Sequence, residues 1–405
     1  MGASSTGQHE RLMKPIDLAI IGGGCAGLSL ARDIAQQTEG RPDRRQVIVF
    51  EPRTHYENDR TWCYWSLKGD ADNPLVNRRW QTWKFSKEGE TVLQRSSQSS
   101  YCLVSGADFY ADAIATIQRD DSLDLKLGVE VKAIEPSGGG FKVTTTTGDY
   151  LARRVVDTRP PSMTRGTEAD LYQVFEGIEI ETTHTIGDPE IANLMAEMHT
   201  GQNGFAFDYL LPLGPKRWLV ESTLLSPDPE CGKHLSEILQ ASLQRIIPDG
   251  EFRCLRREKG MIPMGYRLPR PEGQTGWVRA GTAGGAVRAA SGYAYQRIQR
   301  WSLECAQYFA NSGEVLGHPQ DSWARQKMDA LFLKVLRNEP EQAPEIFVRL
   351  AQGISADAMA RFMMDRASLA DLLAVVWAVP KKPFLRHLFS RDDLARRIPL
   401  KKKTA

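Results

Sequence analysis

"IDLAIIGGGCAGLSLARDIAQ", residues 16–36, decides the fold. It opens with an apolar run, turns on glycines, and continues with Leu28, Leu30, Ala31 and Ile34 at helical spacing. Gly22, Gly24 and Gly27 form G-x-G-x-x-G with a strand before and a helix after, the context that gives this pattern its meaning. Gly22 permits the tight turn, Gly24 lets the backbone approach a pyrophosphate, and Gly27 lets helix and strand pack closely, while the helix amides face the anion. The next apolar run, "QVIVFEP" (46–52), carries Glu51, placed to accept a hydrogen bond from a ribose hydroxyl. Together these predict a dinucleotide site; a glycine turn in an unrelated α/β unit would explain neither the acid nor the order.

The motif lies close to the N-terminus, as in flavoproteins whose first βαβ unit grips the ADP half of FAD, so FAD is favoured over NAD. "LDLKLGVEVKAIEP" (123–136) reads as an alternating strand pair, with the Val131 amide placed to meet the adenine. "LARRVVDTRPP" (151–161) reads as a strand ending in Asp157, Thr158 and Arg159, charges that suit a cofactor edge or a solvated turn equally. "WVRAGTAGGAV" (277–287) reads as a strand running into a glycine-rich helix start, where the chain returns to the flavin. "SSQSSY" and "PSGGGF" read as surface loops.

A chain of 405 residues can bury a large apolar core and two or three packed subregions. Its 52 basic and 50 acidic residues are well mixed and leave no footprint for nucleic acid. Cys25, Cys63, Cys102, Cys231, Cys254 and Cys305 form no CxxC pair, so neither a metal site nor a disulfide framework is expected, and the setting reads as reducing and cytoplasmic. "MGASST" fits the loose myristoylation pattern, which chance often meets. No stretch reaches the roughly 18 apolar residues of a membrane-spanning helix. "LLAVVWAVP" (372–380) runs into "KKPFLRHLF", with Trp377 and Phe384 at its edge, and suits either a membrane interface at the inner face or a helix packed on its own domain. The "KKK" tail would add to such an interface.

Longer stretches make the resemblance specific: "NDRTWCYW" (58–65), "VVDTRP" (155–160), "FDYLLPLGPKRWLVEST" (207–223), "REKGMIPMG" (257–265), "GTAGGAVRAASGYAYQRIQR" (281–300) and "LFLKVLRNEPEQAPEIF" (331–347). In this order they resemble the flavin-dependent lycopene beta-cyclases of the bacterial and plant type. The resemblance implies an α/β (α+β) fold: a Rossmann-like FAD-binding domain of the hydroxylase/geranylgeranyl-reductase type, an inserted β-sheet substrate domain and a C-terminal helical region. Residues 14–70, 101–160 and 276–312 would form the FAD domain, 161–275 the sheet domain, and 313–405 a helical cap broken at Pro340, Pro344 and Pro380. Arg60, Gly281, Thr282, Gly284 and Gly285 would join the cofactor contacts. Thr282 after Gly281 follows the cyclases; the aromatic hydroxylases carry Gly-Asp there. Gly284 and Gly285 would seat a helix start against the ring, its dipole favouring the reduced, anionic flavin.

The resemblance also implies the chemistry, which is cyclisation of the ψ-ends of lycopene to β-ionone rings without net redox change. Glu221, behind Trp218-Leu219-Val220, matches the glutamate of the family's L-V/I-E-x-T strand, taken as the catalytic acid. An alkene is a very weak base, so the acid must stay protonated in an apolar pocket. Trp62, Trp65, Tyr293 and Tyr295 are candidates for lining the polyene tunnel, and NADPH is the expected reductant of the flavin. Three positions depart from the family: Ala196 replaces the Asp of L-M-D with Glu197 next door, Ser291 replaces a Thr, and "RAA" replaces a Pro-containing run. They leave another polyprenyl or meroterpenoid substrate open, beside a flavin monooxygenase on the same fold and a non-catalytic polyene carrier.

Overall fold

The computed structural model describes residues 15–161, 169–267 and 275–388. The apolar runs Ile16–Ile21 and Val47–Glu51 become neighbouring parallel strands in a seven-stranded sheet, extended by Leu123–Leu127 on one side and Gly148–Asp157 on the other. Both faces of these strands are covered, which is why they read as unbroken apolar runs. Leu18 and Ile20 pack against the helices Cys25–Thr38, Gly106–Gln118 and Tyr295–Ser312, while Ala19, Ile21 and Phe50 pack under a meander that contains Val131, Phe141 and Val143. The stretch 123–136 is therefore two strands but no pair: Leu123–Leu127 joins Val47–Glu51, and Val131–Ser137 joins Gly140–Thr145.

A second seven-stranded sheet runs in the order Phe252–Met264, Leu171–Thr182, Arg217–Ser226, Gly204–Pro212, Ile191–Gly201, Thr82–Lys87, Glu90–Arg95. The last two strands come from residues that the sequence reading assigns to no unit. Alternation sorts its two faces. Tyr172, Ile178, Ile180, Trp218, Val220 and Leu224 face outward toward Leu235 and Leu239, both on the helix Leu235–Ile246. Leu171, Leu219, Leu225, Phe205 and Phe207 face inward to the largest core.

A three-stranded sheet, Thr61–Leu67, Ser99–Ser105 and Val76–Trp80, ties the two units together. Tyr64, Cys102 and Val104 belong to the first core, Trp65, Trp80 and Tyr101 to the second. "SSQSSY" is consequently only half a loop: Ser99 begins a strand and Tyr101 is buried. "PSGGGF" likewise belongs mostly to the strands Val131–Ser137 and Gly140–Thr145. Five C-terminal helices close the inner core with Leu333, Ile346, Leu350, Met359 and Val375, and Pro340, Pro344 and Pro380 stand at their boundaries.

Arg288 anchors these helices to the glycine-rich loop. Its buried guanidinium lies 3.4 Å from Asp329 and 3.5 Å from Asp365, donates to the Phe362 carbonyl and sits 4.4 Å from the Phe362 ring centre. Removing one partner of a buried pair costs about 3–5 kcal/mol. Arg288→Met leaves Asp329 buried without its cation, and the expected result is an unfolding free energy lower by about that amount, read as a lower urea midpoint at unchanged slope.

Candidate functional site

The glycine fingerprint sits at the carboxyl ends of the parallel strands, where ligands bind in open α/β sheets. Gly22 has φ of +97°, a Cβ on Gly27 would lie 1.9 Å from the Gly22 carbonyl oxygen, and a Cβ on Gly24 would meet no atom within 4 Å. The turn is thus closed on the strand side and open on the other, and no side chain caps the helix at Gly24. That arrangement fits a pyrophosphate. Glu51 accepts from the Gly23 amide at 2.6 Å and from the Arg53 amide and guanidinium. Burial opposes its charge, but these bonds outweigh it and hold the carboxyl below its usual range. Glu51 therefore shapes the turn itself, a role that its sequence context does not announce.

The remaining cofactor candidates gather at the same sheet end, with two exceptions in detail. Asp157 lies beside Ile21 and Arg279 and holds Arg159 through both oxygens, while Arg159 also donates to the Val131 carbonyl. Arg60 is exposed, with its guanidinium 3.6 Å from Asp59. Gly281–Gly284, which includes Thr282, is a single 3-10 turn, and Gly281 and Gly285 have φ of +65° and +95°. An α-helix cannot pass through these left-handed residues, so the long helix starts only at Tyr295 and the expected dipole of a helix start at Gly284 is absent. His318 holds the turn instead. Burial pushes this imidazole down to about 3, and its Nε2 accepts from the Gly281 amide at 3.0 Å.

Glu221 lies on the inner face of the second sheet. Gly177 stands opposite Glu221 on one side and opposite Glu258 on the other, and Tyr209 stands opposite Glu221 on its far side. Directly opposed residues share a face, so Glu258, Gly177, Glu221 and Tyr209 form one row. A Cβ on Gly177 would lie 3.1 Å from Glu221 Cβ and 3.4 Å from its Oε2, so the carboxyl leans over the glycine toward Glu258. Thr61 donates to Glu258 at 2.9 Å and Arg256 at 2.7 Å, and Arg256 also donates to Glu179. Glu221 is half-buried by surface area yet sits deep between the sheet and the strand Thr61–Leu67. Burial first, and the charge of Glu258 second, push its pKa well above the ordinary carboxylate value.

Beyond Tyr209 the inner face opens on an apolar cavity of about 340 Å³, walled by Trp65, Phe207, Tyr209, Tyr293 and the C-terminal helices. Tyr293 lies 3.1 Å from Tyr101, hydroxyl to hydroxyl. Trp65 and Tyr293 line this cavity, whereas Trp62 and Tyr295 do not. Those two stack on each other at 5.8 Å beside Phe109, at the core that packs on the first sheet.

Of the three departures, Ser291 and the loop residues Arg288 and Ala290 line the cavity. Ala196 does not. It stands opposite Asp208, whose side chain bonds Ser222, Ser242 and Arg245 on the outer side of the sheet. Register shifts on both sides of Ala196 and a φ of +52° at Glu197 break the alternation, so Leu194 and Met195 both face the cavity while Glu197 is exposed. Near the cavity mouth the helices Leu369–Ala378 and Lys381–Leu388 expose Leu373 (60%) and Trp377 (76%), next to Lys381 and Lys382. Phe384 turns inward as part of the cavity wall. The "KKK" tail lies outside the described residues, within which no helix is long and apolar enough to cross a membrane.

The family model described as "Lycopene cyclase protein" matches residues 17–389. A lycopene beta-cyclase of Pantoea ananas is 24% identical over 392 residues, covering 92% of this chain and 97% of that protein. Among solved structures, a geranylgeranyl bacteriochlorophyll reductase-like protein of Thermoplasma acidophilum superposes with a TM-score of 0.57 at 13% identity, over 92% of this chain and 98% of that one. A probable FAD-dependent monooxygenase of Pseudomonas aeruginosa gives 0.51 at 13% identity, over 87% and 100%. These structural likenesses establish the fold.

The raised pKa of Glu221 has a stability consequence whose sign is fixed. The folded chain holds this proton more tightly than the unfolded chain, so Glu221 destabilises the fold increasingly as pH rises from the ordinary 4.5 to its raised native value. Thermal melts of Glu221→Gln against the parent should coincide below that window and separate above it, with the variant the more stable.

Proposed function

The chain belongs to the lycopene cyclase protein family, and from that premise we propose that it is a FAD-dependent, non-redox cyclase that closes the ψ-ends of lycopene to β-ionone rings, with Glu221 as the acid. The observation that carries this reading is a carboxyl biased to its protonated form, on an inner sheet face that continues into an apolar cavity. Glu221 gives its proton to the terminal double bond, the neighbouring double bond attacks the resulting cation, and the ring cation then loses a proton. Proton gain and loss cancel, so product and substrate are isomers.

Residues that would hold FAD are the turn Gly22–Gly27, Glu51 with Arg53, Val131, Asp157 with Arg159, and the turn Gly281–Gly285 with Thr282; Arg60 stands at the margin of the set. Support comes from the open cradle at Gly24 and from a structural neighbour described as probably FAD-dependent. Bound in its reduced form, the flavin would supply negative charge that favours a nearby carbocation. The sequence has no second glycine fingerprint, so NADPH is proposed as a reductant acting from solution or through a partner. Trp65 and Tyr293, which wall the cavity, would line the path of a polyene, which their aromatic faces suit.

A water-insoluble polyene must arrive from a lipid phase. The exposed Leu373 and Trp377, with Lys381 and Lys382 at their side, give the cavity mouth the composition of an interfacial helix, and we assign the chain a peripheral place at the cytoplasmic face of the membrane.

Expression in a lycopene-accumulating host should turn the red pigment orange or yellow, with a product of unchanged mass. A gain of one oxygen would identify a monooxygenase instead. Glu221→Gln should retain flavin absorbance and lose turnover, and wild-type rates in that variant would remove Glu221 from the acid role. The pair Leu373→Asp and Trp377→Asp should abolish flotation with anionic liposomes; unaltered flotation would reject the membrane assignment.

A further inference from the structure

Glu258 plays no part in the reading above, yet the strand register sets it in the same row as the acid. We propose that Glu258 is a positioning residue that acts through Glu221, facing it across the side-chain-free Gly177 and fixing on Glu221 the single proton that the two carboxyls share. This inference rests on the cyclase reading of Glu221.

Three observations carry it. Gly177 is the one residue between the two glutamates in their row, and the Glu221 carboxyl already overlies it. Glu258 is buried and held from behind: Arg256 and Thr61 donate to its Oε2, so the proton of the pair is directed to the other carboxyl. Arg256 is fixed in turn by Glu179, which Arg217 meets from the solvent side. The groups facing the pair are Thr223, Tyr209 and Arg256 from its own sheet and Thr61 and Cys63 from the opposing strand, with Tyr293 and Tyr101 beyond Tyr209. Arg256 is the one cation among them, and it is turned to Glu258 and Glu179.

The proton balance closes on the pair. Donation breaks the O–H bond of Glu221 and forms a C–H bond on the substrate, leaving two like charges buried side by side, an arrangement that strongly favours taking a proton back. The ring cation then loses a C–H proton and the O–H bond of Glu221 forms again. No electrons are exchanged and no co-reactant is consumed.

The test compares Glu258→Gln and Gly177→Ala with the parent, reading both the pH dependence of product formation and the infrared stretch of the protonated carboxyl in the purified chain. Glu258→Gln removes the charge that favours the proton. Its alkaline limb should fall by at least one pH unit, about a tenfold loss of turnover on that limb, and the stretch should disappear at correspondingly lower pH. Glu258→Asp should restore part of the shift. Gly177→Ala removes no charge but separates the carboxyls, and should move both readouts the same way. Parental limb and stretch in both variants would overturn the proposal. Wild-type turnover in Glu221→Gln would instead remove Glu221 from the acid role, while the stretch would still decide the pair.

Discussion

The constraint on which the rest of the molecule depends is the cost of burying an ionised carboxyl. Water stabilises a carboxylate far better than a protein interior does, so Glu221 on an inner sheet face is driven toward its neutral form. The neighbouring strand supplies Glu258, whose charge adds to that drive, and the sheet supplies Gly177, whose missing side chain lets the two approach. Each choice is unfavourable for stability taken alone. Together they favour a protonated Glu221, an arrangement that stability alone would not select.

Alternation is the device that keeps this site separate from its support. In the strand Arg217–Ser226, Trp218, Val220 and Leu224 pack outward beneath the helix Leu235–Ile246, while Leu219, Glu221, Thr223 and Leu225 look inward. Glu221 therefore sits on a strand whose other face is fully committed to a core, and its position does not rest on a loop. Ala196 stands directly opposite Asp208, so a side chain at that position points to the outer side of the sheet, away from the cavity. The bulge around it has a different use, turning Leu194 and Met195 together toward the cavity.

What the sequence reveals and what it conceals divide along the distance over which the signal acts. The fingerprint of Gly22, Gly24 and Gly27 is local, because strand, turn and helix are consecutive, and it forms as its spacing requires. Glu221 is legible through a family stretch and through its apolar neighbours. Glu258 is not, because it meets Glu221 only when the strand Leu171–Thr182 inserts between theirs. One signal was present: a glycine inside a strand, in "FEGIE", marks a place where something approaches closely. The 3-10 turn at Gly281 is not legible in the sequence, because a glycine-rich stretch after a strand suits a helix start equally well until φ is known. The position of Trp62 and Tyr295 away from the cavity is hidden for a simpler reason. An aromatic residue near a site is also what a core wants, and here the two stack on each other in the core that packs on the first sheet.

The C-terminal helices join the two requirements that a polyene-handling site imposes. Their inner faces carry Leu333, Leu350 and Val375 into the core that backs the cavity, while the outer face of Leu369–Ala378 leaves Trp377 and Leu373 in contact with solvent. A helix that serves only as a lid would bury its apolar face and present polar groups outward. This one is apolar on both sides, held in place by Asp371, which accepts from Arg361 and from Ser368, and by the Arg288 anchor on the preceding helices. Polar fastening at the helix ends is what leaves the outer apolar surface available, so the wall of the cavity and the exposed face at its mouth are two sides of one element.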